Sequence, residues 1–199
     1  TILYCLFLFV FNPVFGQAES NREVYIQKKL RTADSLLLSK RYDEALTLIK
    51  NLENTFSFSD SDRDKLNIDY TYVQILYESG NKEKALEIAL KNVEKLKIQK
   101  YQKLYIEYIN FLSKVFAESR NFDKATFYNK QALQLARRNE DTVNILKCLV
   151  RLGSFYYENE KLDSAKSYYR EATRFPVNKE TEQRISNAYN NLGVIAQVE

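Results

Sequence analysis

The chain has 199 residues, of which 45% are hydrophobic, 28% charged and 14% aromatic, enough for one ordinary domain or a short repeat array. It contains 4 Gly and 2 Pro, where average usage gives roughly 14 and 10 at this length, which argues against β-sandwiches, Gly-rich phosphate loops and Pro-rich linkers. With 0 His, a His general base, a Ser-His-Asp triad, a Cys-His dyad and any His-ligated metal are excluded.

The chain opens on Thr1 with an uncharged apolar run over residues 1–11. Asn12-Pro13 interrupts it, and Val14-Phe15-Gly16-Gln17-Ala18 follows. This pattern predicts a secretory signal peptide over residues 1–18, incomplete at its N-terminus and cleaved after Gly16 or Ala18. An uncleaved anchor or a buried helix is the alternative, but a span needs about 20 apolar residues. Cys5 follows Tyr4 rather than the small residue of a lipoprotein signal. The protein is therefore expected to be exported, to the periplasmic or extracytoplasmic side of the inner membrane. After cleavage only Cys148 remains, so no internal disulfide forms. Its neighbours Ile145, Leu146, Leu149 and Val150 predict a buried, inert thiol.

Residues 1–18 carry no charge, so all 30 basic and 26 acidic residues lie beyond them. The signs are interleaved, which fits a solvated surface and not a nucleic-acid footprint. Even the densest basic stretch, Lys91 to Lys103, contains Glu94.

Internal periodicity dominates the rest. Ala45, Ala85, Ala125 and Ala165 stand 40 residues apart, and Tyr42, Lys82, Phe122 and Leu162 precede them in register. Leu112-Ser113, Leu152-Gly153 and Leu192-Gly193 repeat at the same spacing, as do Leu36, Leu76, Phe116 and Tyr156. Each unit reads as two helices. Tyr105, Tyr108, Ile109, Leu112, Val115 and Phe116 fall at helical spacing, and turns such as Gly80-Asn81 or Arg120-Asn121 follow. The second helix opens on an acidic residue such as Asp123, which favours a helix N-terminus. The spacing predicts repeats at 22–56, 62–98, 100–138 and 141–175, and a half-repeat at 179–199, with residues 57–61 as a polar turn. Small residues at Gly153 and Ala165 are expected to let paired backbones approach closely. A chain stopping at Glu199, half-way through a repeat, is expected to be a fragment of a longer protein.

Leu152-Gly153, Tyr156, Leu162, Ala165, Tyr168-Tyr169, Ala172 and Pro176 resemble the tetratricopeptide (TPR) repeat. The resemblance covers residues 22–199. It is looser early on, where Ala33 and Val73 replace Gly and Asn92 stands where Ala is usual. The 40-residue period also exceeds the usual 34. The resemblance implies an all-α fold, a right-handed α-α superhelix built as a solenoid of antiparallel helix pairs. It also implies a protein or peptide partner on a concave face lined by the first helices. The usual groove positions of the family then fall on Asn67, Tyr70, Gln74 and Tyr77. They fall next on Glu107, Asn110, Lys114 and Ala117, on Lys147, Val150, Ser154 and Tyr157, and on Asn187, Asn190, Val194 and Gln197. From these, Tyr70, Gln74, Tyr77, Asn110, Lys114, Lys147, Ser154, Tyr157, Asn187 and Asn190 are the candidate binding residues. Carboxylate-binding clamps of the family are matched only in part, by Lys114, Lys147 and Asn191.

Tyr156-Tyr157 and Tyr168-Tyr169 read as core filling, with an aromatic recognition strip as the alternative. Asp60, Asp62 and Asp64 alternate as in a calcium loop, but Lys65 and Thr71 replace the Gly and Glu such a loop needs. No catalytic constellation emerges, and neither enzyme activity, cofactor, metal nor nucleic-acid binding is expected. Bacterial chains of similar layout continue into a transmembrane helix and a histidine kinase or helix-turn-helix output domain. The resemblance thus implies the extracytoplasmic sensor region of a signalling protein. An envelope assembly or secretion scaffold and a cytoplasmic peptide-responsive regulator are the alternatives.

Overall fold

The computed structural model describes residues 13–59, 62–97 and 101–198. Among them every regular element is an α-helix: α1 (Pro13–Leu38), α2 (Tyr42–Thr55), α3 (Arg63–Glu78), α4 (Lys82–Lys97), α5 (Gln102–Glu118), α6 (Phe122–Arg138), α7 (Thr142–Glu158), α8 (Leu162–Thr173) and α9 (Glu182–Val198). Residues 1–12 of the expected signal peptide lie outside the described residues, as do Asp60 and Ser61. Helix α1 begins at Pro13, earlier than the expected start at residue 22, and proline's fixed φ and missing N–H suit a first helical position. Among the described residues no helix is long and apolar enough to cross a membrane.

The helices form two compact units, Thr1–Ala85 and Leu86–Glu199, divided within α4. The first unit has an aliphatic core. Ile26, Leu30 and Ala33 of α1 pack with Ala45, Ile49 and Leu52 of α2 and with Ile68 and Ile75 of α3. The second unit pairs α5 with α6 and α7 with α8, and α9 packs on both α7 and α8.

One turn design recurs. Lys40, Gly80, Arg120, Glu140 and Glu160 all have positive φ, between 54° and 98°. In each turn the next residue's N–H reaches back to a carbonyl of the helix, as in Arg41 to Leu36, Asn121 to Phe116 and Lys161 to Tyr156. The left-handed residue itself bonds nearer, as Arg120 does to Ala117. These paired bonds satisfy the orphan carbonyls of the helix end. The Asn beside Gly80 or Arg120 is not the left-handed residue. In the Arg120 turn it caps the next helix, Asn121 Oδ1 accepting from the Lys124 N–H at 3.1 Å. Asp62 and Asp141 cap α3 and α7 in the same manner, accepting from the N–H groups of Asp64 and Asn144.

Helix pairing is keyed at one register position. In the first unit it holds Ala33 opposite Ile49, both fully buried. In the second unit it holds Ser113 and Asn129, and then Gly153 and Tyr169. Asn129 Nδ2 donates to the Cys148 carbonyl at 2.7 Å, and Ser113 Oγ donates to the Ala125 carbonyl at 3.0 Å. At Gly153, an added Cβ would stand 2.7 Å from ring atoms Cδ1 and Cζ of Tyr169. The glycine is thus a notch for an aromatic ring. The aromatic pairs repeat as well: Phe116 stacks on Tyr128 with centroids 5.7 Å apart, and Tyr156 on Tyr168 at 5.4 Å. Tyr169 is 2% exposed. Of the four tyrosines weighed for recognition, Tyr156, Tyr168 and Tyr169 serve packing.

Candidate functional site

In the first unit the seam between α1 and α3 is stitched by opposite charges. Arg22 meets Asp62 at 2.8 Å and Asp64 at 3.5 Å, and Arg63 meets Glu23 at 3.4 Å. The Arg22 guanidinium also lies 4.7 Å from the Phe58 ring centroid and 5.6 Å from that of Phe56. It therefore fastens the loop after α2 against α1. Lys65 completes the pattern, donating to Glu53 and Asp69 at 2.5 Å each. Burial works against the Lys65 ammonium, but hydrogen bonds and attraction from these two carboxylates outweigh it and raise its pKa. Burial, with Asp62 adding, holds the Asp64 carboxyl above the usual range despite Arg22. Asp62 and Asp64 are thus committed to an arginine and a helix start. Among the described residues no group of His, Cys, Asp and Glu is arranged to hold a metal ion.

Of the candidates on α3, Tyr70 and Gln74 are half-buried. Tyr77 is 5% exposed, with the Lys82 ammonium 5.0 Å from its ring centroid. It is a core residue and not a contact surface. Its register was legible, but the closing of neighbours over its ring was not.

In the second unit the candidates lie on α5, α7 and α9. The structure joins Asn110 of α5 to α7, its Oδ1 accepting from Arg151 Nη1 at 3.4 Å. Lys147, half-buried one turn before Arg151, feels the positive charges of both Arg151 and Arg184 of α9. Burial first, then these two cations, push the Lys147 ammonium below the ordinary lysine range. Ser154 Oγ donates to the Val150 carbonyl and lies 3.1 Å from the Tyr169 hydroxyl, so it ties α7 to α8. Tyr157 is half-buried, while Asn187 and Asn190 are exposed on α9. Lys114 is exposed and 3.7 Å from Glu118 of its own helix. Cys148, beneath this face, is 1% exposed, and burial pushes its thiol up to about 11, which makes it a poor nucleophile.

Sequence reasoning missed Arg151 and Arg184. Arg151 lies one turn beyond Lys147, and Arg184 one turn before Asn187. The helical spacing was available, but only the packing of α9 on α7 lets the Arg184 charge act on Lys147.

No family model matches the chain, and no curated protein matches it by sequence. Solved structures do match by shape. BtubC (BKLC) from P. vanneervenii superposes with a TM-score of 0.78 at 16% identity, covering 93% of this chain and 77% of that one. A kinesin-light-chain-type protein of Podosopora anserina, with nearly identical TPR-like repeats, gives 0.72 at 11% identity, covering 87% and 89%. MamA gives 0.54 at 16% identity, covering 88% and 86%. The chain therefore has the fold of a TPR-like helical solenoid. Its own 40-residue repeats supply the sequence signature of that fold.

Proposed function

We propose that this chain is a non-enzymatic binding module that receives a protein or peptide on its first-helix surfaces, above all on α5, α7 and α9. One observation supports this reading most: α7 and α9 pack together and present half-buried Tyr157 with exposed Asn187 and Asn190. Asparagine amides suit an extended peptide backbone, and tyrosine adds contact area at low entropic cost. The TPR-like neighbours support a scaffold role by analogy of fold.

The test is a selection of peptides from a displayed library, followed by a triple change of Tyr157, Asn187 and Asn190 to Ala. Capture is expected to fall roughly tenfold or more, with helix content and melting unchanged. Undiminished capture by a folded triple variant sinks the proposed face.

Export rests on the signal-like Thr1–Ala18, and the sensor role rests on the resemblance to longer bacterial signalling chains. In this reading a bound partner alters helix packing, and the change is passed on to an output domain. Fractionation of cells producing the chain fused to a periplasm-dependent reporter enzyme tests export. Reporter activity is expected, and a silent but intact fusion contradicts it.

A further inference from the structure

The first helices of the second unit share one stripe of packing positions. In α5 the stripe is Ile109, Leu112, Ser113 and Phe116, all buried, with Ser113 and Phe116 joined to α6. In α7 it is Leu149, Leu152, Gly153 and Tyr156, and α8 covers it: Tyr169 fills the Gly153 notch and Tyr168 stacks on Tyr156. Forty residues on, α9 carries Tyr189, Leu192, Gly193 and Ala196. Here the stripe is open. Tyr189 is 58% exposed, Gly193 and Ala196 are exposed, and a Cβ added to Gly193 would meet nothing within 4 Å. Helix α9 packs on α7 and α8, and the residues it buries are Ile185, Ala188 and Ile195.

Two features say what fits this stripe. Between α7 and α8 the notch is on one helix and the ring on the other. Helix α9 carries both, Tyr189 and Gly193, one turn apart on one face. In an antiparallel pair of α9 helices related by a twofold axis at position 191, residue 189 of each stands opposite residue 193 of the other. Each ring then enters the partner's notch, as Tyr169 enters that of Gly153. A patch complementary to itself is what a twofold contact requires. The second feature is charge. Residues 185–198 contain no Lys, Arg, Asp or Glu, whereas α5 carries Lys103, Glu107, Lys114 and Glu118, and α7 carries Lys147, Arg151 and Glu158. Covering the α9 stripe with a second α9 therefore desolvates no charge along it and opposes no like charges.

We propose that the Tyr189–Gly193 face of α9 is a self-association surface whose occupant is α9 of a second copy of this chain, antiparallel across a twofold axis. The contact continues by register the packing that α8 makes on α7, and it does not rest on the peptide-binding reading. One helix pair is at the small end of specific interfaces, so the association is weak and reversible, with a Kd of roughly 10–100 µM.

Sedimentation equilibrium of the chain tests this, over concentrations from about tenfold below to about tenfold above that Kd. The average mass is expected to move reversibly from 23.5 kDa towards twice that value. Tyr189→Glu and Gly193→Leu are each expected to weaken the association about tenfold or more. Helix content should not change, because Tyr189 is exposed and a side chain at Gly193 meets nothing within its own chain. Leu38→Glu, at an exposed apolar residue of α1, is expected to leave the association as it is. A chain that stays monomeric across the range overturns the proposal, and so does association that both α9 variants retain. A synthetic helix of residues 161–175, the α8 sequence, is the last arm. If it binds a chain that does not self-associate, and Gly193→Leu abolishes that binding, the face belongs to a helix of the α8 type and the second copy is overturned as its occupant.

Discussion

The α1–α3 seam and the α7–α9 seam occupy the same place in their repeats, yet their electrostatics are opposite. The first is closed by Arg22 with Asp62 and Asp64 and by Arg63 with Glu23. In the second, the positive charges of Arg151 and Arg184 both act on half-buried Lys147. The cores differ in parallel. At the keyed register position the first unit buries Ala33 and Ile49, whereas the second buries Ser113 with Asn129 and Gly153 with Tyr169. A repeat seam whose charges cancel is satisfied by itself. One whose nearest charges repel is held by the packing beneath it.

The largest effect is expected from breaking that packing. Gly153→Leu drives a side chain into the Tyr169 ring and should destabilise the second unit by about 3 kcal/mol, as overpacking does. Adding Tyr169→Ala should restore part of the loss, which a double-mutant cycle in urea measures. Additive losses would show that the notch and the ring are not a pair.

Next comes the stitched seam. Arg22→Ala removes a cation from two aromatic rings and two carboxylates and should cost about 1–2 kcal/mol, read as a lower urea midpoint. The smallest effect carries the opposite sign. Lys147→Gln relieves repulsion and should stabilise by about 0.5 kcal/mol after solvent screening, seen as a raised melting temperature. Removing a cation thus weakens one seam and strengthens the other.

The sign extends to pH. The Lys147 pKa is lowered from 10.5, so the unfolded chain holds its proton more tightly. That cost to stability disappears as pH rises through the folded value towards 10.5. The Lys65 pKa is raised from 10.5, so its contribution is complete below 10.5 and lost as pH climbs through the folded value.

Much of the fold was legible because a repeat writes its packing in columns. The 40-residue spacing of Ala45, Ala85, Ala125 and Ala165 marks where second helices enter, and Asp62 and Asp123 mark helix starts. What was not legible depends on neighbours distant in sequence. The ring over Gly153 was not legible, because only the placement of Tyr169 reveals the notch. The left-handed turns use Lys40, Arg120, Glu140 and Glu160, residues with no intrinsic preference for that conformation, so helix packing and not composition dictates them. Register placed the candidates Lys147 and Asn110 on first helices, but it does not say how deeply a ring sinks, and Tyr77 is buried. The effect of the Arg184 charge on Lys147 was invisible until α9 stood beside α7.

The contrast between the seams reduces to two half-buried lysines, Lys65 between carboxylates and Lys147 among cations. A carbon-detected NMR titration of both ammonium groups in one folded sample compares them directly. Lys65 should titrate above the ordinary lysine value and Lys147 below it. A Lys147 that titrates at or above that value would contradict the burial beside like charges that sets this seam apart.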